Sequence, residues 1–184
     1  MLRIHTRFLG ILASCTIALS ALTIPPAHAE DRFILDIVTP RPFPNITFTD
    51  LDDNAQTLEE TKGKLTIVHF WATWCVPCVD ELPELNEIQQ KYEVVGLKVI
   101  SISLDGEKNK GKVESFLKTN NINSLKPYMD NSSKAFELSH AKGMPTSFFI
   151  NEKSETIAVS EGKLDWLSPK TAGFIEFNLY KAKK

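Results

Sequence analysis

The sequence has few cysteines, no basic surplus, no internal repeat and, past its first 24 residues, no long apolar run. Each absence closes an avenue. Of 184 residues, 21 are basic and 23 acidic, a formal net charge of −2. A chain that gripped nucleic acid through its charge would show a clear basic excess, so no nucleic-acid partner is expected. Without repeats or low-complexity blocks, 42% hydrophobic and 24% charged residues describe ordinary globular material with enough apolar side chains for one packed core. No exposed heptad or apolar stripe marks a self-association surface, which leaves the oligomeric state open. There are three cysteines, Cys15, Cys75 and Cys78.

The first of these sits in the one apolar run. Arg3 and Arg7 open the chain with positive charge, Phe8 to Ile24 carry none, and Ala27-His28-Ala29 supplies small residues two apart. This is the pattern of a secretory signal peptide cut after Ala29. A retained N-terminal membrane anchor is the alternative for residues 1–29, since the uncharged run of 17 residues reaches the short end of the about 17–25 needed to span. Export places the rest of the chain where disulfides can form, in a bacterial periplasm, soluble or tethered to the inner membrane. Losing the segment removes two arginines and no acid, so 19 basic face 23 acidic residues, a net of −4. It also removes Cys15. One cysteine pair remains.

Residues 30–44 hold Pro40, Pro42 and Pro44 without helical spacing and read as a linker or extended arm. From Asn45 to the C-terminus, strand and helix patterns alternate in what reads as one domain. Leu65 to Trp71 is almost continuously apolar and β-branched, as a strand buried on both faces would be. Val76, Val79, Leu82, Leu85, Ile88 and Tyr92 then recur at steps of three and four, predicting a helix with Asp80, Glu84, Glu87 and Lys91 in water. Pro83 falls inside it and should bend it. Further strands are expected at Leu97–Leu104, Leu125–Met129, Ser147–Ile150 and Thr156–Val159, the last two a hairpin. Helices are expected around Val113–Leu117, over Ser132–Leu138 with Asn131 or Ser132 as cap, and after Ser168-Pro169. The expected fold class is α/β, a mixed sheet with helices on both faces.

Cys75 and Cys78 fall where the buried strand gives way to the helix. A structural zinc site needs about four N or S ligands, and no histidine stands at ligand spacing from the pair. Haem attachment requires His directly after the second cysteine; that residue is Val79. A structural disulfide closing so small a loop would restrict the unfolded chain little. A copper-binding module could use two soft thiolates, but no third Cys, Met or His is placed by motif to complete the site. Redox exchange fits the context best. A helix N-terminus carries partial positive charge that favours a thiolate at Cys75, and Cys78, one turn in, can resolve a mixed disulfide. Trp74 would shield the pair and offer a flat surface to a partner chain. His69 lies in the strand, half-buried near a thiol or satisfied in the core.

The segment Phe70-Trp71-Ala72-Thr73-Trp74-Cys75-Val76-Pro77-Cys78 resembles the active-site stretch of thioredoxin-like proteins, and more narrowly the exported TlpA/ResA-type thiol:disulfide oxidoreductases, where an acid and a proline follow as Glu81 and Pro83 do here. Gly143-Met144-Pro145-Thr146-Ser147-Phe148-Phe149-Ile150-Asn151 is similar to that branch's second motif. The resemblance implies a thioredoxin-like fold and a redox disulfide between Cys75 and Cys78. It implies a cis Pro145 beside the cysteines that exposes the backbone of Met144 to an incoming peptide. It makes Glu81 an acid–base group and Trp74, Met144 and Pro145 the substrate-binding surface, with no cofactor. The implied partners are client proteins with cysteine disulfides, such as apocytochrome c or copper-site assembly proteins, and a membrane thiol-reducing electron donor. The implied direction is reductive, with oxidase or isomerase action as the alternative. His69 departs from the pattern, standing where thioredoxins carry a buried acid and this branch often an amide.

Overall fold

A computed structural model describes residues 35–181. The expected signal peptide or anchor, residues 1–29, lies outside the described residues. Strand β4, Leu65–Trp71, is the axis of the fold, and all of its side chains are buried. The helix α2, Val76–Tyr92, follows and leads through a short 3₁₀ turn, Glu93–Val95, to β5, Leu97–Ser103. Gly96 makes the turn into β5 with φ +106°, a left-handed backbone that favours glycine. β5 pairs parallel with β4 (Leu65 opposite Leu97, Trp71 opposite Ser103), so β4–α2–β5 is a crossover unit.

β7, Thr146–Asn151, lies antiparallel on the other side of β4, and β8, Glu155–Glu161, pairs with it as the expected hairpin. The remaining strands are β1 (Asp36–Pro42), β2 (Thr47–Thr49), β3 (Ala55–Thr57) and β6 (Pro127–Met129). The eight-stranded mixed sheet runs in the order β1-β8-β7-β4-β5-β6-β2-β3. Part of the stretch expected to be a linker therefore joins the sheet: β1 pairs antiparallel with β8, Asp36 opposite Val159 and Pro42 opposite Glu155. Two of its prolines sit in this strand, which is tolerable because β1 is an edge strand and one side of it needs no ladder partner.

The period-two alternation of β4 divides the core. Leu65, Ile67 and Trp71 pack with Leu82, Leu85 and Ile88 of α2, with Val113 and Leu117 of α3 (Lys110–Thr119) and with Ile175 and Leu179 of α5 (Pro169–Tyr180). Val68 and Phe70 join Leu58 of α1 (Leu58–Thr61), Ala135 of α4 (Lys134–Ser139), Ile46, Phe48 and Phe148 in a second cluster. The same alternation puts His69 on the α2 side.

Two details differ from expectation. Val76, assigned to the inward face of α2, is 68% exposed in the first turn of the helix. The N-cap of α4 is Ser133, one residue past the expected caps, with φ +59° and no side-chain capping bond. Asp130 does that work from outside the helix, its Oδ2 accepting from the Phe136 N–H at 2.9 Å. The cap of α5 is as expected: Ser168 Oγ accepts from the Thr171 N–H, with Pro169 next.

Candidate active site

β4 ends at Trp71, and the chain must turn before α2 can start. The Cys75 N–H donates to the Ala72 carbonyl at 3.1 Å, and the Cys75 carbonyl accepts from the Val79 N–H at 3.0 Å, so Cys75 is the N-cap residue of α2. Pro77 occupies the first turn, where a missing N–H costs no helix bond. The turn is pinned from β5's exit. Asp105 accepts from the Thr73 N–H at 2.8 Å, from Thr73 Oγ at 2.5 Å and from Ser103 Oγ at 2.8 Å. Asp105 was not among the sequence candidates, because an acid 32 residues downstream of Thr73 gives no local sign of what it holds.

Cys75 and Cys78 form a disulfide, S–S 2.01 Å, with Cα atoms 5.3 Å apart. The two sulfurs are not equivalent. Cys75 is 7% exposed and Cys78 0%, since a residue at the cap faces outward and one a turn later faces the sheet. Trp74, 63% exposed, and Val76 flank Cys75 in the chain and present apolar side chains to solvent. The Met144–Pro145 peptide is cis. Thr146, the next residue, pairs with Phe70 on β4, which brings the Met144-Pro145 turn to the end of the sheet from which the cysteine loop departs. The Gly162 N–H donates to the Pro145 carbonyl at 2.8 Å, and Thr146 Oγ to the Gly143 carbonyl at 2.7 Å. Met144 packs partly buried against both core clusters.

Behind the disulfide lies a buried polar group. Glu81, one turn after Cys78 on the same face of α2, is fully buried, although a helix carboxylate by itself would be read as solvated. Its Oε2 accepts from the Leu164 N–H at 2.7 Å and from Trp166 Nε1 at 3.2 Å. Those donors come from the segment between β8 and α5. Burial outweighs them and pushes the Glu81 carboxyl up to about 8. Glu81 Oε1 has no hydrogen bond, and His69 Nε2, also unpaired, lies 3.7 Å away. His69 is fully buried rather than half-buried, and desolvation pulls it down to about 3, so its ring is neutral. Its Nδ1 meets Ser147 Oγ at 2.9 Å. Among the described residues, no three His, Cys, Asp or Glu side chains gather as a metal site, and no helix is long and apolar enough to cross a membrane.

Comparison with known proteins bears on this arrangement. The AhpC/TSA family matches residues 40–159, more than half of the chain. A thiol-disulfide oxidoreductase ResA of Bacillus cereus is 32% identical over 114 residues, covering 62% of this chain. The match spans 64% of that relative, less than two thirds of its length. The crystal structure of StoA from Bacillus subtilis superposes with a TM-score of 0.56 at 28% identity, covering 66% of this chain and 90% of that one. A thiol:disulfide interchange protein of the thioredoxin family from Chlorobium tepidum TLS gives 0.59 at 23% identity, over 79% and 97%, a likeness of fold.

Proposed function

We propose that this chain, which belongs to the AhpC/TSA family and has a thioredoxin-like fold, is a thiol:disulfide oxidoreductase working through Cys75 and Cys78. The observation that carries the reading is the inequality of the two sulfurs at a helix start: one reaches the surface at the N-cap and the other is sealed one turn inside. In the dithiol state the Cys75 thiolate, favoured by the helix N-terminus, attacks a client disulfide and forms a mixed disulfide. The far client sulfur leaves as a thiolate. Cys78 then gives up its proton, bonds to Cys75 and releases the second client thiolate. The client gains two electrons, and the enzyme is left with the disulfide described above.

Trp74, Met144 and Pro145 make the client-binding surface, where an extended peptide pairs with the backbone of Met144. Glu81 takes and returns the Cys78 proton. The net direction is reductive: an exported or membrane-tethered enzyme keeps client cysteines reduced for haem or copper insertion, as in cytochrome c or cytochrome oxidase assembly, and is re-reduced by a membrane thiol donor. Support for these finer points is the two sequence motifs and the similarity to a relative named ResA.

Two measurements test the reading. A Cys78→Ser variant should accumulate mixed disulfides with cell-envelope proteins through Cys75, and mass spectrometry of the captured species names the clients; absence of any adduct on a fully reduced, folded variant would overturn the exchange chemistry. Equilibration in glutathione buffers gives the direction. A potential well above the glutathione couple leaves the enzyme an oxidant, and the reductase assignment fails.

A further inference from the structure

His69, Glu81 and Ser147 form a row of buried polar groups whose protons can be placed by exclusion. Glu81 Oε2 already receives two N–H groups, from Leu164 and Trp166. A protonated Glu81 must therefore carry its hydrogen on Oε1, the oxygen that faces His69 Nε2. Two hydrogens cannot share that gap, so Nε2 is bare and the ring hydrogen sits on Nδ1, donating to Ser147 Oγ. The separation of 3.7 Å is just beyond hydrogen-bond range, about 2.7–3.2 Å. The terminal torsion of a glutamate is broad and soft, and a small turn of the carboxyl closes the gap. No neighbouring group is hydrogen-bonded to either atom. Ser101, beside His69 on β5, buries its hydroxyl without a partner. Lys163 is engaged with Asp80 at 3.8 Å, and Glu84 accepts from the Trp166 backbone.

We propose that His69 is a positioning residue for the exchange: its bare Nε2 accepts the Oε1 proton of Glu81, and together they store the proton that Cys78 loses as the disulfide closes. The inference rests on the oxidoreductase reading for its purpose. When Cys78 bonds to Cys75, its proton moves to Oε1; when a donor reduces the disulfide, the same proton returns to the Cys78 sulfur. The two departing client thiolates take their protons from solvent, so the enzyme's own store is neither filled nor drained from outside during the chemical step. Ser147 holds the ring in the tautomer this requires. An amide in place of His69 can donate an N–H to Oε1, which the bare Nε2 cannot do, and is the better partner for the carboxylate.

The test uses the oxidised full-length protein. Nitrogen-15 NMR of the histidine rings near neutral pH should give His69 as neutral with the hydrogen on Nδ1; a hydrogen on Nε2 overturns the proposal without any substitution. The Glu81 titration, followed by carboxyl carbon-13 shift, should fall in His69→Gln by roughly one pH unit or more, a tenfold loss of proton affinity. An unchanged midpoint in a folded variant overturns it. Should His69→Gln not fold, Ser147→Ala serves: freeing Nδ1 lets the ring donate from Nε2, and the midpoint falls in the same sense, while no movement overturns the tautomer. Insulin reduction by the unsubstituted enzyme is measured alongside. Failure there sinks the oxidoreductase reading and leaves the proton placement to the NMR; normal exchange with an identical pH profile of mixed-disulfide resolution in His69→Gln sinks the proton store alone.

Discussion

Replacing Glu81 by glutamine isolates the cost of burying a carboxyl behind the disulfide. The glutamine carbonyl takes the place of Oε2 beneath the Leu164 and Trp166 N–H groups, and its NH₂ faces His69 Nε2 where Oε1 stood. It copies the protonated glutamate and cannot ionise. Burial raises the folded-state Glu81 carboxyl from the ordinary 4.5 to about 8. Below about pH 4.5 both folded and unfolded chains hold the proton, and burial has no charge to penalise. Between the two values the unfolded chain ionises first, so stability falls as pH rises and levels off above the folded value. Each pH unit is worth about 1.4 kcal/mol, and about three and a half units give roughly 5 kcal/mol, a large share of the about 5–15 kcal/mol that holds a domain together. Urea unfolding of the oxidised protein and of Glu81→Gln, across this range, reads the difference directly, and subtracting one curve from the other removes the other titrating groups. Equal stability near pH 4 and a variant several kcal/mol more stable near pH 8.5 is the expected result. Parallel curves would refute the reasoning, because they would mean that Glu81 ionises in the folded chain as easily as in the unfolded one.

Three further outcomes follow from the same geometry. In the reduced protein, iodoacetamide should modify Cys75 at least about tenfold faster than Cys78, since only the thiolate form at the partly exposed cap is both reactive and reachable; peptide mass spectrometry reports the ratio. Asp105→Ala removes the acceptor for Thr73 and Ser103, and should cost about 2–4 kcal/mol in thermal or urea unfolding and slow insulin reduction, because the loop carrying Cys75 loses its anchor. Trp74→Ala should leave stability within about 0.5 kcal/mol, as expected at an exposed site, while raising the KM for a disulfide-bearing client peptide.

The sequence by itself determined the α/β alternation, because β4 is apolar over a full strand and α2 repeats its apolar residues at helical steps, patterns that only one kind of backbone can bury. It also placed Cys75 at the strand-to-helix junction, because strand and helix patterns meet there, and pointed to Pro145 only through the resemblance of its motif to that of thioredoxin-like proteins. Tertiary structure decided what no local pattern encodes. β1 joined the sheet because β8 offered an open edge, which its prolines gave no reason to expect. Glu81 is a helix residue that would sit in water in isolation; it is buried because the segment carrying Leu164 and Trp166, over 80 residues away, folds across it and supplies N–H donors. His69 meets Glu81 and Ser147 because three separate elements converge on one side of the sheet. Asp105 reaches Thr73 for the same reason. Hydrophobic periodicity is written along the chain, whereas the pairing of buried polar atoms depends on which distant groups arrive at the same point.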